Sequence, residues 1–232
     1  MKQLLIIDPQ NDFCDVAGAA LPVAGAQADL QRLVRFIQSS KLDAITVTQD
    51  SHPAVAVERT SFWRTADGTS PAPFTWVTAA DVRSGKLTPH DASLVPSVLT
   101  MLERLAERGR EGLVIWPVHC VTGSWGHQVL PALVEGLTQW EVTVQQSVRT
   151  VMKGAYPLTE HFGVFEADAP EPNEPSTQFN TELARALTEG VDVLFLAGEA
   201  GSHCVAASFD QLARYLDGKH TGAARPRVVL LH

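Results

Sequence analysis

Three residues in this chain could together break an acyl bond. Cys204 ends the string Gly198-Glu199-Ala200-Gly201-Ser202-His203-Cys204. It lies at the seam between an apolar run (191–197) and a segment (202–216) whose Val205, Phe209, Leu212 and Leu216 share one helical stripe. The run reads as a buried parallel strand. A cysteine in the first turn of the following helix sits near unpaired N–H groups and the positive end of the helix dipole. Both favour thiolate, the nucleophilic form. Asp8 follows the apolar run 4–7, and Lys153 follows the β-like piece 148–152. A carboxylate beside a thiol can take its proton. An ammonium beside both keeps the carboxylate ionised and stabilises developing charge. Glu199-Ala200-Gly201 adds small residues whose backbone N–H groups could form an oxyanion hole. This set suits amide or acyl hydrolysis through a thioester. Each residue alone has a plainer reading: an inert buried cysteine, an aspartate capping the turn at Pro9, a solvated lysine. Their joint occurrence favours the chemistry.

These side chains need elements to bring them together. Helical spacing marks 26–37, 94–108, 125–137 and 177–187, the last with Thr177 as a cap. Strands are expected at 4–7, 42–47, 112–116, 191–197 and 227–231, with short β-like pieces at 142–144 and 148–152. Alternating strands and helices predict an α/β fold with a mostly parallel sheet, whose ligands bind beyond the carboxyl ends of the strands. Asp8, Asp50, the Pro117-Val118-His119 turn, Lys153 and Cys204 all follow apolar strands, so they converge at that edge. The Pro- and Gly-containing stretch from 51 to about 90 carries Trp63, Phe74 and Trp76. It reads as an ordered excursion.

At 232 residues, 45% of them hydrophobic, the chain fits one globular domain, 1–232. No apolar run reaches a membrane span, and the apolar start at 4–7 is too short for a signal peptide. Three cysteines argue against a disulfide scaffold and for a reducing cytoplasm. A net charge of −8 without a basic run speaks against a nucleic-acid or membrane-surface role. The stop at His232, straight after an apolar strand, suggests a truncated chain or an edge that a partner covers.

Five motifs in order carry a family resemblance: Asp8-Pro9-Gln10-Asn11-Asp12-Phe13, Thr48-Gln49-Asp50-Ser51-His52-Pro53, Trp116-Pro117-Val118-His119-Cys120-Val121-Thr122-Gly123, Lys153-Gly154, and the Gly198–Val205 string. Over about residues 3–231 the chain resembles the cysteine hydrolases of the isochorismatase/nicotinamidase superfamily. The resemblance implies a three-layer α/β/α sandwich and a triad with Asp8 as general base, Lys153 as its charged partner and Cys204 as nucleophile. It implies an oxyanion hole from the N–H groups of Ala200 and Cys204, and a cis peptide at Glu199–Ala200. Phe13 and Trp63 would flank the substrate ring. Cys14, Cys120 and His119 read as structural. A homo-oligomer is also expected, since members often form dimers or tetramers.

The chain departs from the nicotinamidase pattern at two places. Asp50 and His52 match the first two metal ligands, but the segment 55–63 holds no histidine for the third. Either Glu58 replaces it, giving a carboxylate-rich site for zinc, iron or manganese, or Arg59 takes the metal's place and neutralises Asp50. The second reading is preferred here, because two protein ligands hold a metal poorly. The other departure is an insertion at about 64–92, expected to cover the pocket mouth or build a subunit interface. The function expected is hydrolysis of a small, flat carboxamide, nicotinamide first among them. Alternatives are a metal-free hydrolase of another amide or carbamoyl compound, and a non-catalytic binding protein on the same fold.

Overall fold

The computed structural model describes residues 1–218 and 225–231; residues 219–224 and 232, among them the last residue of the expected domain, lie outside the described residues. In chain order the elements are β1 (Lys2–Ile7), α1 (Ala26–Ser39), β2 (Ala44–Asp50), β3 (Trp63–Thr65), β4 (Trp76–Val77), α2 (Ala79–Arg83), β5 (Leu87–Pro89), α3 (Val95–Glu107), β6 (Leu113–Val114), α4 (Pro131–Val144), β7 (Arg149–Lys153), α5 (Thr181–Thr188), β8 (Val193–Gly198), α6 (Ala206–Gly218) and β9 (Arg227–Leu230).

Five strands form one parallel sheet in the order β7-β2-β1-β8-β9. The central strand β1 has alternating faces, and each face buries against its own helices. Leu4 and Ile6 meet Leu30, Leu33 and Ile37 of α1 and Leu133, Leu137 and Trp140 of α4. Leu5 and Ile7 meet Leu183 and Leu187 of α5 and Leu212 of α6. That is the expected three-layer sandwich. All four β1 side chains are fully buried. Each contributes about 1.5–3 kcal/mol on transfer from water.

The stretch 112–116 does not join this sheet as expected. Leu113 and Val114 pair antiparallel with Val77 and Trp76 of β4, while β3 pairs with β5 in another small sheet. These pieces and α3 enclose a third core that includes Trp63, Val77, Leu87, Val98, Leu102 and Ile115. The piece 142–144 is the last turn of α4, which begins at Pro131 rather than at residue 125. Proline fits the first turn, where its missing N–H costs nothing. Helix α5 is capped not by Thr177 but by Asn180, whose side chain accepts from the Leu183 N–H at 2.9 Å. Among the described residues no helix is long and apolar enough to cross a membrane.

Candidate active site

Four neighbouring strands deliver the reactive groups at one edge of the sheet. Asp8 directly follows β1, Asp50 ends β2, Lys153 ends β7, and Cys204 lies six residues beyond β8. Asp50 and Lys153 are direct register partners across β2 and β7, so the pairing itself sets the carboxylate beside the ammonium. Between β8 and α6 the chain makes one wide π turn, 201–205, which carries Cys204. Such turns recur at functional sites. Gly198, at φ +143°, lies so close to β1 that a Cβ would stand 2.2 Å from the Ile7 carbonyl oxygen. Only glycine lets the turn begin there.

Lys153 is the hub. Its Nζ lies 2.5 Å from Asp50 Oδ1, 3.0 Å from Asp8 Oδ2, 3.0 Å from the His161 carbonyl oxygen and 3.8 Å from Cys204 Sγ. All four side chains of this cluster are buried. Asp8 has a left-handed backbone, φ +48°, and Thr48 Oγ1 donates to its Oδ1 at 2.6 Å. Burial raises the Asp8 carboxyl above 3.8 despite Lys153. Burial acts the same way on Asp50, but His52 and Lys153 outweigh it and hold Asp50 well below that value. Lys153 would be lowered by burial, yet Asp50, Asp8 and Cys204 keep it well above 10.5.

The cysteine departs from the expected thiolate. Burial pushes Cys204 well above 9.0, and Asp8 and Asp50 add to the rise against Lys153. These surroundings favour the thiol over the thiolate. A helix-end effect of about 0.3–1 kcal/mol does not offset a buried site with two carboxylates. The backbone also differs from expectation: among the described residues no peptide bond is cis. The turn before the cysteine is made instead by Ala200 at φ +52°, whose carbonyl oxygen accepts from the His203 N–H at 2.8 Å.

A cavity of about 260 Å³ opens onto Cys204. That is below the roughly 300–1,000 Å³ of drug-sized pockets, which points to a small ligand. Its walls include Phe13, Leu21, Val23, Trp116, Phe162 and Ala200, with Asp50, His119 and Glu160 as polar groups. Trp63, expected as the second aromatic wall, is not there. It is fully buried in the third core, and its indole N–H donates to the Val57 carbonyl at 2.7 Å. Trp116 stands in its place. Its Nε1–H donates to Glu160 Oε2 at 2.9 Å. Burial and the nearby Glu58 raise the Glu160 carboxyl to about 8. Larger hollows lie elsewhere, and in two of them the arginines Arg104, Arg108, Arg110 and Arg214 are paired with Glu171, Glu166 and Asp168.

Asp50, His52 and His119 bring one donor atom each to within 4.8 Å of one another, a set that can hold a divalent metal ion. His52 Nε2 lies 3.0 Å from Asp50 Oδ2, and its Nδ1 lies 3.1 Å from Glu58 Oε1. A carboxylate behind Nδ1 leaves Nε2 as the ligand atom. His119 Nε2 lies 3.7 Å from the same Asp50 oxygen, with the Pro117 carbonyl oxygen 2.8 Å from its Nδ1. The donor set and the groups behind it fit a metal. The residue that completes this donor set is His119, expected to be structural, and not Glu58 or Arg59. Glu58 stands behind His52. Arg59 is fully buried behind His119, with Nη1 2.5 Å from its Nδ1, and does not line the cavity. It cannot grip a substrate. When Arg59 donates to Nδ1, the His119 proton rests on Nε2; when Nδ1–H donates to Pro117, Nε2 is free to ligate. The only sign of His119 in the sequence was its place at the end of an apolar strand. Gly154, at φ +84°, packs against His52: a Cβ there would stand 2.5 Å from its Cε1 atom.

The chain is 25% identical over 210 residues to the nicotinamidase of Saccharomyces cerevisiae, covering 90% of this chain and 79% of that protein. It is 27% identical over 207 residues to the nicotinamidase of Escherichia coli, covering 88% and 72%. The solved structure of the yeast nicotinamidase shares the fold, with a TM-score of 0.61 at 22% identity over 93% of this chain and 82% of that one. No family model matches the chain.

Proposed function

We propose, since the chain belongs to the isochorismatase/nicotinamidase superfamily of cysteine hydrolases, that it is a nicotinamidase-like amidohydrolase. It converts a small aromatic carboxamide and water to the acid and ammonia. The observation that carries this reading is the buried Asp8–Lys153–Cys204 cluster, whose Cys204 lines a small, aromatic-walled cavity. Asp8 takes the thiol proton as Cys204 Sγ attacks the amide carbon. The N–H groups of Ala200 and Cys204 receive the oxyanion. Asp8 returns the proton to the leaving nitrogen, ammonia departs, and the acyl group remains as a thioester. Asp8 then takes a proton from water, whose oxygen displaces the thiolate and releases the acid. Lys153 keeps Asp8 ionised when it must act as base. Phe13 and Trp116 flank the substrate ring.

Asp50, His52 and His119 would hold the divalent ion, be it zinc, iron or manganese. Such an ion supplies a cationic anchor for a lone pair on the substrate. We read the described chain as one domain with an insertion at about 64–92, acting in the cytoplasm as a homo-oligomer. Three buried free cysteines support the reducing compartment, and the exposed edge strand β9 supports assembly.

The test is ammonia release from nicotinamide by the purified protein, beside Cys204→Ala and a metal assay of the same sample. Release that needs Cys204 is expected. Release by Cys204→Ala would overturn the mechanism. A folded protein that alkylates at Cys204 but leaves nicotinamide intact would shift the reading to another amide or carbamoyl substrate.

A further inference from the structure

The excursion between β2 and α3 touches the substrate cavity's wall through one unusual residue. Strand β4 pairs with β6 so that Trp76 faces Val114 and Val77 faces Leu113. The ladder runs on past both strand ends: the Ile115 N–H donates to the Thr75 carbonyl at 2.8 Å, and the Phe74 N–H to the Ile115 carbonyl at 2.5 Å. Extending that register sets Phe74 across from Trp116. The two rings meet edge to face, with centroids 5.9 Å apart and planes at 87°.

Neither burial nor backbone preference accounts for Phe74. It is 62% exposed, and its φ of +66° is one that a large L side chain avoids. A surface residue under no constraint would be glycine or asparagine there. Among the described residues its one ring contact is Trp116, which lines the cavity. Trp116 is braced on other sides by Glu160, by Phe162 with centroids 6.1 Å apart, and by His203 at 5.3 Å.

We infer that Phe74 is a positioning residue for substrate: its ring steadies Trp116 against a flat aromatic amide in the cavity and so sets affinity for such amides. This rests on the amidohydrolase reading above. Among the described residues no hydrogen bond or ring contact joins Phe74 to Cys204 or to the metal-ligand set, so its removal acts on binding. An edge-to-face pair contributes about 0.5–1.5 kcal/mol beyond area burial, and ring binding weakens by the part of it that holds Trp116 in its substrate-facing pose, at most about tenfold.

The test follows protection of Cys204 from iodoacetamide, read by mass spectrometry, in the wild type, Phe74→Ala and Phe74→Tyr. Nicotinamide is the aromatic probe and propionamide the aliphatic one. In Phe74→Ala the nicotinamide concentration for half protection should rise, by at most about tenfold. Propionamide protection should not change, kcat for nicotinamide should stay within about twofold, and Phe74→Tyr should behave as wild type. Equal nicotinamide protection in wild type and Phe74→Ala overturns the inference alone. An equal loss with both probes also overturns it, since that marks general damage to the site. No protection by nicotinamide in the wild type overturns the amidohydrolase reading and this inference with it.

Discussion

Replacing Lys153 by methionine should destabilise the folded chain by several kilocalories per mole, and more at pH 7.5 than at pH 5. Lys153 is 3% exposed, and its ammonium lies within 3.0 Å of carboxylate oxygens from both Asp8 and Asp50. Methionine keeps the length of the stem but leaves two buried carboxylates without their shared cation. Breaking a buried pair in this way costs about 3–5 kcal/mol. For a chain of this size each kilocalorie shifts the melting temperature by about 2–4 °C, so a fall of about 6–20 °C is expected. The sign of the pH effect follows from the three groups. Lys153, raised above 10.5, contributes stability that is whole below 10.5 and so is constant between pH 5 and 8 in the wild type. Asp50, held below 3.8, contributes stability present above that value and lost only as pH falls through its folded value. In the variant both carboxyls move up. The folded state then binds more protons than the unfolded one above pH 3.8, and its stability falls as pH rises through that window. Thermal melts of both proteins at pH 5 and 7.5 measure this. A fall below about 2 °C, or one of equal size at both pH values, would refute the shared-cation reasoning.

Other perturbations probe the same machinery. Asp8→Asn removes the base and also a charge that raises the thiol. It should slow ammonia release by about 10²–10⁴ while speeding iodoacetamide alkylation of Cys204 at pH 8; slower alkylation would count against a thiol pushed up by Asp8. Glu58→Gln, behind His52 Nδ1, should weaken zinc binding about 10–100-fold in competition with a chelating dye. Unchanged affinity would remove Asp50, His52 and His119 as the holders of the ion. Gly154→Ala should cost about 1–3 kcal/mol in urea unfolding and lower zinc affinity, because the new Cβ meets the His52 ring from a left-handed backbone. A neutral outcome would mean that the ring shifts freely.

The triad was legible because each member directly follows or ends a short apolar strand or lies in the turn beyond one, a local signal. Alternation along β1 was hidden, since a strand buried on both faces is apolar throughout. Trp63 and Trp116 could not be told apart by type. Which tryptophan faces the cavity depends on β6 leaving the main sheet to pair with β4, and that pairing joins residues far apart in the chain (Val77 to Leu113, Trp76 to Val114) with no periodic mark. His119 was passed over for the same reason: it reaches Asp50 only because the chain after β6 runs beside His52, through the bridge between His52 and Val121. The upward push on the Cys204 thiol was missed because a helix end is visible in sequence, while burial beside two carboxylates is a property of the folded sheet. The turn at Ala200 is held by the hydrogen bond to His203, a conformation that no residue type there demands.

The order of the strands also has a consequence for how the protein is made. β1 is made before its partners, yet β8 begins only at Val193, so one edge of this central strand stays open until β8 has been synthesised. Contacts of such long range form late, and an open apolar edge invites pairing with other chains. The nascent protein therefore carries Leu4–Ile7 with β2 along one edge and α1 and α4 over one face, and the β8 edge still unpaired. Cys204 meets Asp8 only when that edge closes. Catalytic competence thus reports the completion of the sheet, and slow translation or a lack of chaperone should lower the yield of active protein before it lowers the specific activity of what folds.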